Sequence, residues 1–282
     1  MRPPFAYYGG KAGLARRIVA VMPEHRVYIE PFFGSGAVLF AKPPSPFEII
    51  NDLDDSVVTF FRILRDRPDD LVRVCSLTPH ARAEYSAADL DVDLDDLERA
   101  RRFWVRVNQS FAKHSGTQTG WSITTARNQS VPAGTASRLG RFDALAERLT
   151  AVSIERCDAV GLIDRLATID SVVYCDPPYL QSTRAARMDR NAASDYRHDM
   201  GAPEDHERLA GALRATPATV LLSGYRSDLY DRLYDGWDRL DIEVTAHSSN
   251  SRRGTRTGRV ESIWSNRPLD VPGRLFEIGA GA

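Results

Sequence analysis

Short apolar runs rich in β-branched residues recur along the chain at Val27–Glu30, Phe47–Asn51, Ala151–Glu155, Ser171–Cys175 and Thr219–Ser223. Taken as runs without alternation, they suit strands covered on both faces. Segments of helical character follow most of them, at Lys11–Met22, Ser35–Ala41, Asp54–Asp66, Leu94–Phe111, Ser137–Leu149, Asp158–Leu166 and Pro203–Ala215, the last with proline at its start. Strand and helix in alternation predict an α/β fold built on a doubly wound sheet.

The alternation breaks between Leu64 and Thr150. An acidic stretch and a long helix lead there into a segment rich in Gly, Ser, Thr, Asn and Gln, His114–Ser137. A structureless loop of that length is unusual inside a compact domain unless it is functional, so the interval is expected to be an insertion. The predicted organisation is a main domain from residues 1–63 and 151–282 and an inserted, mainly helical domain at 64–150. Near the end, Ile242–His247 and Arg259–Trp264 read as two further strands joined by the loop Ser248–Gly258.

A chain of 282 residues can bury one sizeable core and carry such a module. The three cysteines, Cys75, Cys157 and Cys175, are scattered and lack CxxC spacing, which argues against a disulfide framework and fits a reducing compartment. The opening MRPPFAYYGGK lacks the apolar run of a signal peptide, and no later stretch approaches a membrane span, so a soluble cytoplasmic protein is expected. A net charge of −1 looks unpromising for nucleic-acid binding, yet the charge is segregated. Asp66–Glu98 holds ten acids against three arginines, Arg101–Arg148 eight bases against two acids, and Asn250–Arg267 five arginines against one acid. Patches of this kind can meet phosphates without a high overall pI, although solvated helix faces carry similar runs.

Three segments carry chemistry. In Glu30-Pro31-Phe32-Phe33-Gly34-Ser35-Gly36 a strand enters a turn with two glycines ahead of a helix, which lets backbone approach a nucleotide closely; a plain tight turn would look the same. Asp52, at the tip of the second strand and 22 positions beyond Glu30, is placed to accept hydrogen bonds from ribose hydroxyls, or else to cap the next helix. In Asp176-Pro177-Pro178-Tyr179 an apolar strand delivers a carboxylate into a loop whose prolines fix φ and leave their carbonyls free as acceptors. The Asp176 carboxylate and the Pro177 carbonyl can take both hydrogens of an exocyclic amine and free its lone pair for an electrophile. Tyr179 offers an aromatic face to a base drawn out of a duplex. His198 and His206 lack a zinc spacing, and no metal is expected.

Tyr7-Tyr8-Gly9-Gly10-Lys11, the Glu30–Gly36 turn, Asn51-Asp52, the loop Asp176–Tyr179 and the segment Ser248–Trp264, in this order, give the chain a resemblance to the Dam-type, D12-class family of N6-adenine DNA methyltransferases. The resemblance implies a Rossmann-like methyltransferase sheet with an inserted target-recognition domain. It also implies S-adenosylmethionine as methyl donor and methyl transfer to the N6 amine of a flipped adenine in double-stranded DNA. The residues it places at the donor are Tyr7, Lys11, Glu30, Phe32, Gly34, Gly36, Asp52, Asp158 and Asp176, with Tyr7 near the adenine or methionine part and Lys11 near the carboxylate. Asp176, Pro177, Pro178 and Tyr179 form the catalytic loop, and Ser223-Gly224-Tyr225 lies where the family often lines the target pocket. By residue type, Lys113, His114, Arg127, Asn128, Arg252 and Arg253 are candidate DNA contacts. The protein is expected to act as a monomer, and a restriction endonuclease specific for the same site is its conceivable partner. Three rival readings remain at this point: an enzyme acting on cytosine N4 or on RNA, a DNA-binding relative without catalysis, and a dinucleotide oxidoreductase. The last lacks the third glycine after Gly34 and Gly36.

Overall fold

A computed structural model describes residues 1–7, 9–110, 120–123, 131–180, 200–245 and 258–270. Its centre is a sheet of seven strands: β1 (Val27–Glu30), β2 (Phe47–Asn51), β3 (Val152–Glu155), β4 (Ser171–Cys175), β5 (Thr219–Gly224), β6 (Asp238–Thr245) and β7 (Gly258–Ser265). Their order is β3-β2-β1-β4-β5-β7-β6, parallel from β3 to β5, with β7 antiparallel to both β5 and β6. This is the doubly wound α/β sheet that the pattern predicts. The direction of winding reverses between β1 and β4, and in such sheets a ligand crevice opens outside the carboxyl ends of the strands at that point.

The central parallel strands β1, β4 and β5 are largely apolar because both faces are covered. Tyr28 of β1, Val172 and Tyr174 of β4 and Leu221 of β5 enter one core, while Ile29, Val173, Cys175, Val220 and Leu222 enter the other. Successive strand residues point to opposite faces, so apolar residues at consecutive positions feed two layers at once.

Ten helices accompany the sheet among the described residues: α1 (Ala15–Ala20), α2 (Asp55–Asp66), α3 (Pro68–Leu77), α4 (Arg82–Ala87), α5 (Asp96–Gln109), α6 (Val131–Leu139), α7 (Phe142–Leu149), α8 (Ala159–Leu166), α9 (Pro203–Ala215) and α10 (Asp228–Leu233). Local signals set several boundaries. Asp54 caps α2 through Ser56 N–H, Asp95 caps α5 through Leu97 and Glu98 N–H, and Pro68 opens α3 ahead of Asp69 and Asp70. None of the helices is long and apolar enough to cross a membrane.

Four expectations change. No helix forms over Ser35–Ala41; turns run there instead, closed by Gly36 N–H to Phe33 O and Ala41 N–H to Val38 O. Gly36 sits at φ +70°, outside the helical region, and Pro43 biases Lys42 toward extended backbone, so the segment has no room to propagate a helix. The helix expected over Lys11–Met22 shrinks to α1, because its first residues form the turns that hold Lys11. The one expected over Ser137–Leu149 becomes α6 and α7, parted at Gly140-Arg141. Finally, α3 and α4 fill an acidic stretch for which no helix was predicted.

Between residues 64 and 150 the described residues form the end of α2, α3 to α7 and their connections, with Ser110 and Trp121 paired in an isolated bridge. Phe103 and Trp104 of α5 and Phe142 of α7 join Phe5, Phe60 and Phe61 in the core above the sheet, with Phe60 and Trp104 stacked at 6.2 Å. Tyr85, Ala88 and Val105, with Trp121 against them, form a small separate cluster. A buried ion cluster binds α7 to the sheet near the amino end of β2. Lys42 Nζ lies 2.5 Å from Glu48, and Arg148 grips the same carboxylate with contacts of 2.5 and 2.7 Å. Ser45 N–H adds a hydrogen bond of 3.0 Å, and the Lys42 ammonium lies 4.6 Å from the centre of the Tyr28 ring.

Candidate active site

Most of the residues expected at the donor converge on a cavity of about 260 Å³, open to solvent, at the carboxyl ends of β1, β2 and β4. Tyr7, Lys11, Glu30, Phe32, Gly34, Asp52, Asp158, Asp176 and Pro178 all line it. Gly36, Pro177 and Tyr179 stand just behind, all three buried.

One wall begins with the segment before α1. Gly9 at φ +70° lets the chain double back, with Gly10 N–H on Tyr7 O at 2.9 Å, and this turn directs Lys11 inward. Lys11 is almost fully buried, and its ammonium donates to Asp176 Oδ1 at 2.7 Å, to Gly9 O at 3.1 Å and to the Tyr179 hydroxyl. Glu261 Oε1 lies 3.3 Å from the same nitrogen and accepts the Tyr179 O–H at 3.0 Å. Burial works to lower the Lys11 pKa, but the Asp176 and Glu261 carboxylates outweigh it and hold the ammonium well above the usual lysine range. The immediate partners of Lys11 are therefore groups of the Asp176 loop.

The floor is the turn after β1. Tyr28 O–H donates to Glu30 Oε2 at 2.7 Å, and Gly34 N–H donates to Asp52 Oδ2 at 2.8 Å, which locks the glycine turn to the tip of β2. A Cβ on Gly36 would stand 2.3 Å from Phe33 Cζ, so only glycine fits beneath the Phe33 ring. Asp52 also accepts Asp54 N–H at 3.0 Å. Asn51 is a tie that the sequence did not reveal as such: its side chain donates to Pro31 O and Cys157 O and accepts Cys157 N–H, which joins the loops after β1 and β3. Asp158 sits on the rim, caps α8 through Gly161 N–H and takes Arg208 with contacts of 2.9 and 2.6 Å.

Among the described residues the cavity wall holds more carboxyls than cations. Burial raises the pKa of Glu30 to about 8, of Asp52 to about 7 with help from Asp54, and of Asp176 to about 6, Lys11 restraining the last. Acids left short of protein cations in a cleft are poised to receive a cationic ligand.

Glu261 on β7 was not singled out from sequence, whereas Tyr225, expected near a target pocket, packs its ring tilted against that of Tyr179. The two rings lie 4.7 Å apart at 42°. The only signal for Glu261 is an acid inside the apolar strand Val260–Trp264. The candidate DNA contacts Lys113, His114, Arg127, Asn128, Arg252 and Arg253 lie outside the described residues, as does Tyr8.

Known proteins resemble this chain along most of its length. The chain is 27% identical to the type II methyltransferase M1.LlaDCHI of Lactococcus lactis subsp. cremoris, covering 93% of this chain and 94% of that protein. It is 25% identical to a DNA adenine methylase of Vibrio cholerae, over 90% of this chain and 92% of the other. To the type II methyltransferase M.MjaIII of Methanocaldococcus jannaschii it is 24% identical, over 84% and 89%. The model of the D12 class N6 adenine-specific DNA methyltransferases matches residues 7–247, nearly the whole sheet and the cavity it carries, and the chain belongs to that family.

Proposed function

We propose that this adenine-specific DNA methyltransferase binds S-adenosylmethionine in the cavity between the carboxyl ends of β1, β2 and β4. It then presents the N6 amine of an adenine, flipped from double-stranded DNA, to the donor across the loop Asp176–Tyr179. The observation that carries the reading is the meeting of Asp176, Lys11 and Asp52 on one cleft.

The lining fits such a donor. Glu30 and Asp52 offer acceptors for an ammonium and for ribose hydroxyls, Tyr7 and Phe32 offer aromatic faces to a purine or a sulfonium, and the glycine turn clears the floor between them. A surplus of carboxyls suits a molecule that carries positive charge at both amine and sulfur. When bound, the donor supplies an already activated methyl group on a sulfonium.

The protein's own work is then to position. Asp176, held through Oδ1 by Lys11, accepts one amine hydrogen, and the Pro177 carbonyl accepts the other. Together they favour a pyramidal nitrogen whose lone pair faces the donor, and the surplus proton leaves through Asp176 or solvent. Alignment and exclusion of water carry most of the rate. The ring of Tyr179 supports the extruded base. Residues 64–150 form the part that reads the target sequence, with Lys113, His114 and Arg127 toward phosphates and Asn128 toward a base edge, while Arg252 and Arg253 add contacts from the β6–β7 loop.

Digestion of DNA methylated by the pure protein should release N6-methyl-2′-deoxyadenosine as its methylated nucleoside. Finding only N4-methylcytosine would overturn the choice of base, and methylation confined to RNA would overturn the choice of nucleic acid.

A further inference from the structure

Resting on that reading of the Asp176 loop, we propose that Glu261 of β7 is a positioning residue for methyl transfer. It fixes Tyr179 and Lys11, and through them the ring and the carboxylate that receive the adenine.

Glu261 is 4% exposed on a strand whose other residues serve the sheet and its cores. A carboxylate in such a place costs free energy unless it is partnered. Its partners here are groups of the site, Lys11 Nζ at 3.3 Å and the Tyr179 hydroxyl at 3.0 Å. The Tyr179 hydroxyl accepts from Lys11 and donates to Glu261, so each role is filled in one orientation of the C–O bond. Tyr225 on one side and the Lys11 ammonium, 4.9 Å from the ring centre, complete the clamp on that ring. β7 enters the sheet antiparallel between β5 and β6, and that placement brings residue 261 beside a loop 82 positions earlier in the chain.

Charge gives Glu261 a second effect. Asp176 is faced by Lys11 from the segment before α1, Glu261 from β7, Tyr174 from β4 and Glu30 from β1. The Glu261 carboxylate favours the protonated form of Asp176, so its loss makes Asp176 ionise at lower pH.

The test uses the full chain, DNA and S-adenosylmethionine, with the parent, Glu261→Gln and Glu261→Ala assayed side by side. Glu261→Gln keeps the shape and removes the charge, and it should move the acid limb of the kcat/KM profile below that of the parent. Glu261→Ala should lower kcat by about tenfold or more with the KM for the donor little changed, as expected for a misplaced reacting group. A merely structural Glu261 would lower the melting temperature of both variants and leave the limb where it was. An unmoved limb in Glu261→Gln together with a parental kcat in Glu261→Ala overturns the proposal; if Glu261→Ala does not fold, the limb of Glu261→Gln decides alone. A parent that leaves adenine unmethylated would instead refute the reading of the site.

Discussion

Two buried lysine–carboxylate clusters lie at opposite ends of the same parallel strands, and they are built to different rules. Near the amino end of β2, Glu48 is matched by two cations, Lys42 and Arg148, and by the Ser45 N–H. Burial pushes against ionisation there, yet Arg148 and Lys42 prevail and hold the Glu48 carboxyl below the usual range. At the carboxyl ends the ratio reverses, with Lys11 alone between Asp176 and Glu261 and with Glu30 and Asp52 farther along the wall. The carboxyls of Glu30, Asp52 and Asp176 are pushed upward. A carboxylate enclosed by cations has finished its electrostatics at folding. A cluster with acids to spare awaits a ligand.

The sharpest way to break this contrast is Glu48→Ala, which leaves Lys42 and Arg148 buried without their carboxylate. Losing one partner of a buried ion pair costs about 3–5 kcal/mol, so urea unfolding should show a loss of that order. The folded fraction should keep most of its DNA methylation, since the sites are linked only indirectly, through the Tyr28 ring beside Lys42 and its hydroxyl on Glu30. A large loss of kcat with unchanged stability would reverse the assignment of the two clusters.

Asp176→Ala should do the opposite. Removal of a preorganised group at the reacting atoms costs roughly 10²–10³-fold in kcat. The melting temperature should fall less than in Glu48→Ala, because the Lys11 ammonium keeps Glu261 and the Tyr179 hydroxyl as partners. Incorporation of labelled methyl groups into DNA within a few-fold of the parent would count against its role. A smaller effect follows from Asp52→Asn: hydrogen bonds to a charged acceptor contribute about 1.5–3 kcal/mol. Calorimetry should show donor affinity weakened by roughly ten- to a hundredfold while kcat at saturating donor holds.

The smallest effect separates the clusters by the sign of their pH dependence. Glu30 and Asp52, at about 8 and about 7, keep protons in the folded protein that the unfolded chain has already released. Between about pH 6.5 and 8 the unfolded state therefore binds fewer protons, and stability falls as pH rises. The melting temperature without ligands should drop by about 2–4 °C over that window, for each kcal/mol lost. Glu30→Gln should flatten the slope, and bound donor should offset it. Glu48, with its lowered pKa, contributes stability above the usual glutamate range and loses it only on acidification below that range. A melting temperature that climbs from pH 6.5 to 8 would refute the surplus of acid at the cavity.

How much of this was legible in the sequence depended on whether the signal was local. The central parallel strands β1, β4 and β5 were readable because each buries both faces and so carries a largely apolar run. The caps Asp54 and Asp95 act within three residues of themselves and leave a mark on the chain, and the same holds for Pro68 of α3, although that stretch was read only as acidic. Ser35–Ala41 misled because its composition suits a helix, whereas the φ of Gly36 and the prolines beyond Lys42 deny one. The division of α6 from α7 was missed because Gly140 alone does not announce a break.

Sequence by itself determined the α/β alternation, the glycine turn, the acid Asp52 at the tip of β2 and the Asp176–Tyr179 loop, since each is a short segment whose residue types dictate its geometry and whose order identifies the family. Tertiary structure alone decided that Lys11 is spoken for by Asp176 and Tyr179, that Asn51 ties two loops together, and that Glu261 stands at the site at all. Those facts rest on strand order. Placing β4 beside β1 and β7 beside β5 brings together residues as far apart in the chain as Lys11 and Glu261, and no local pattern encodes which distant acid a buried lysine will meet.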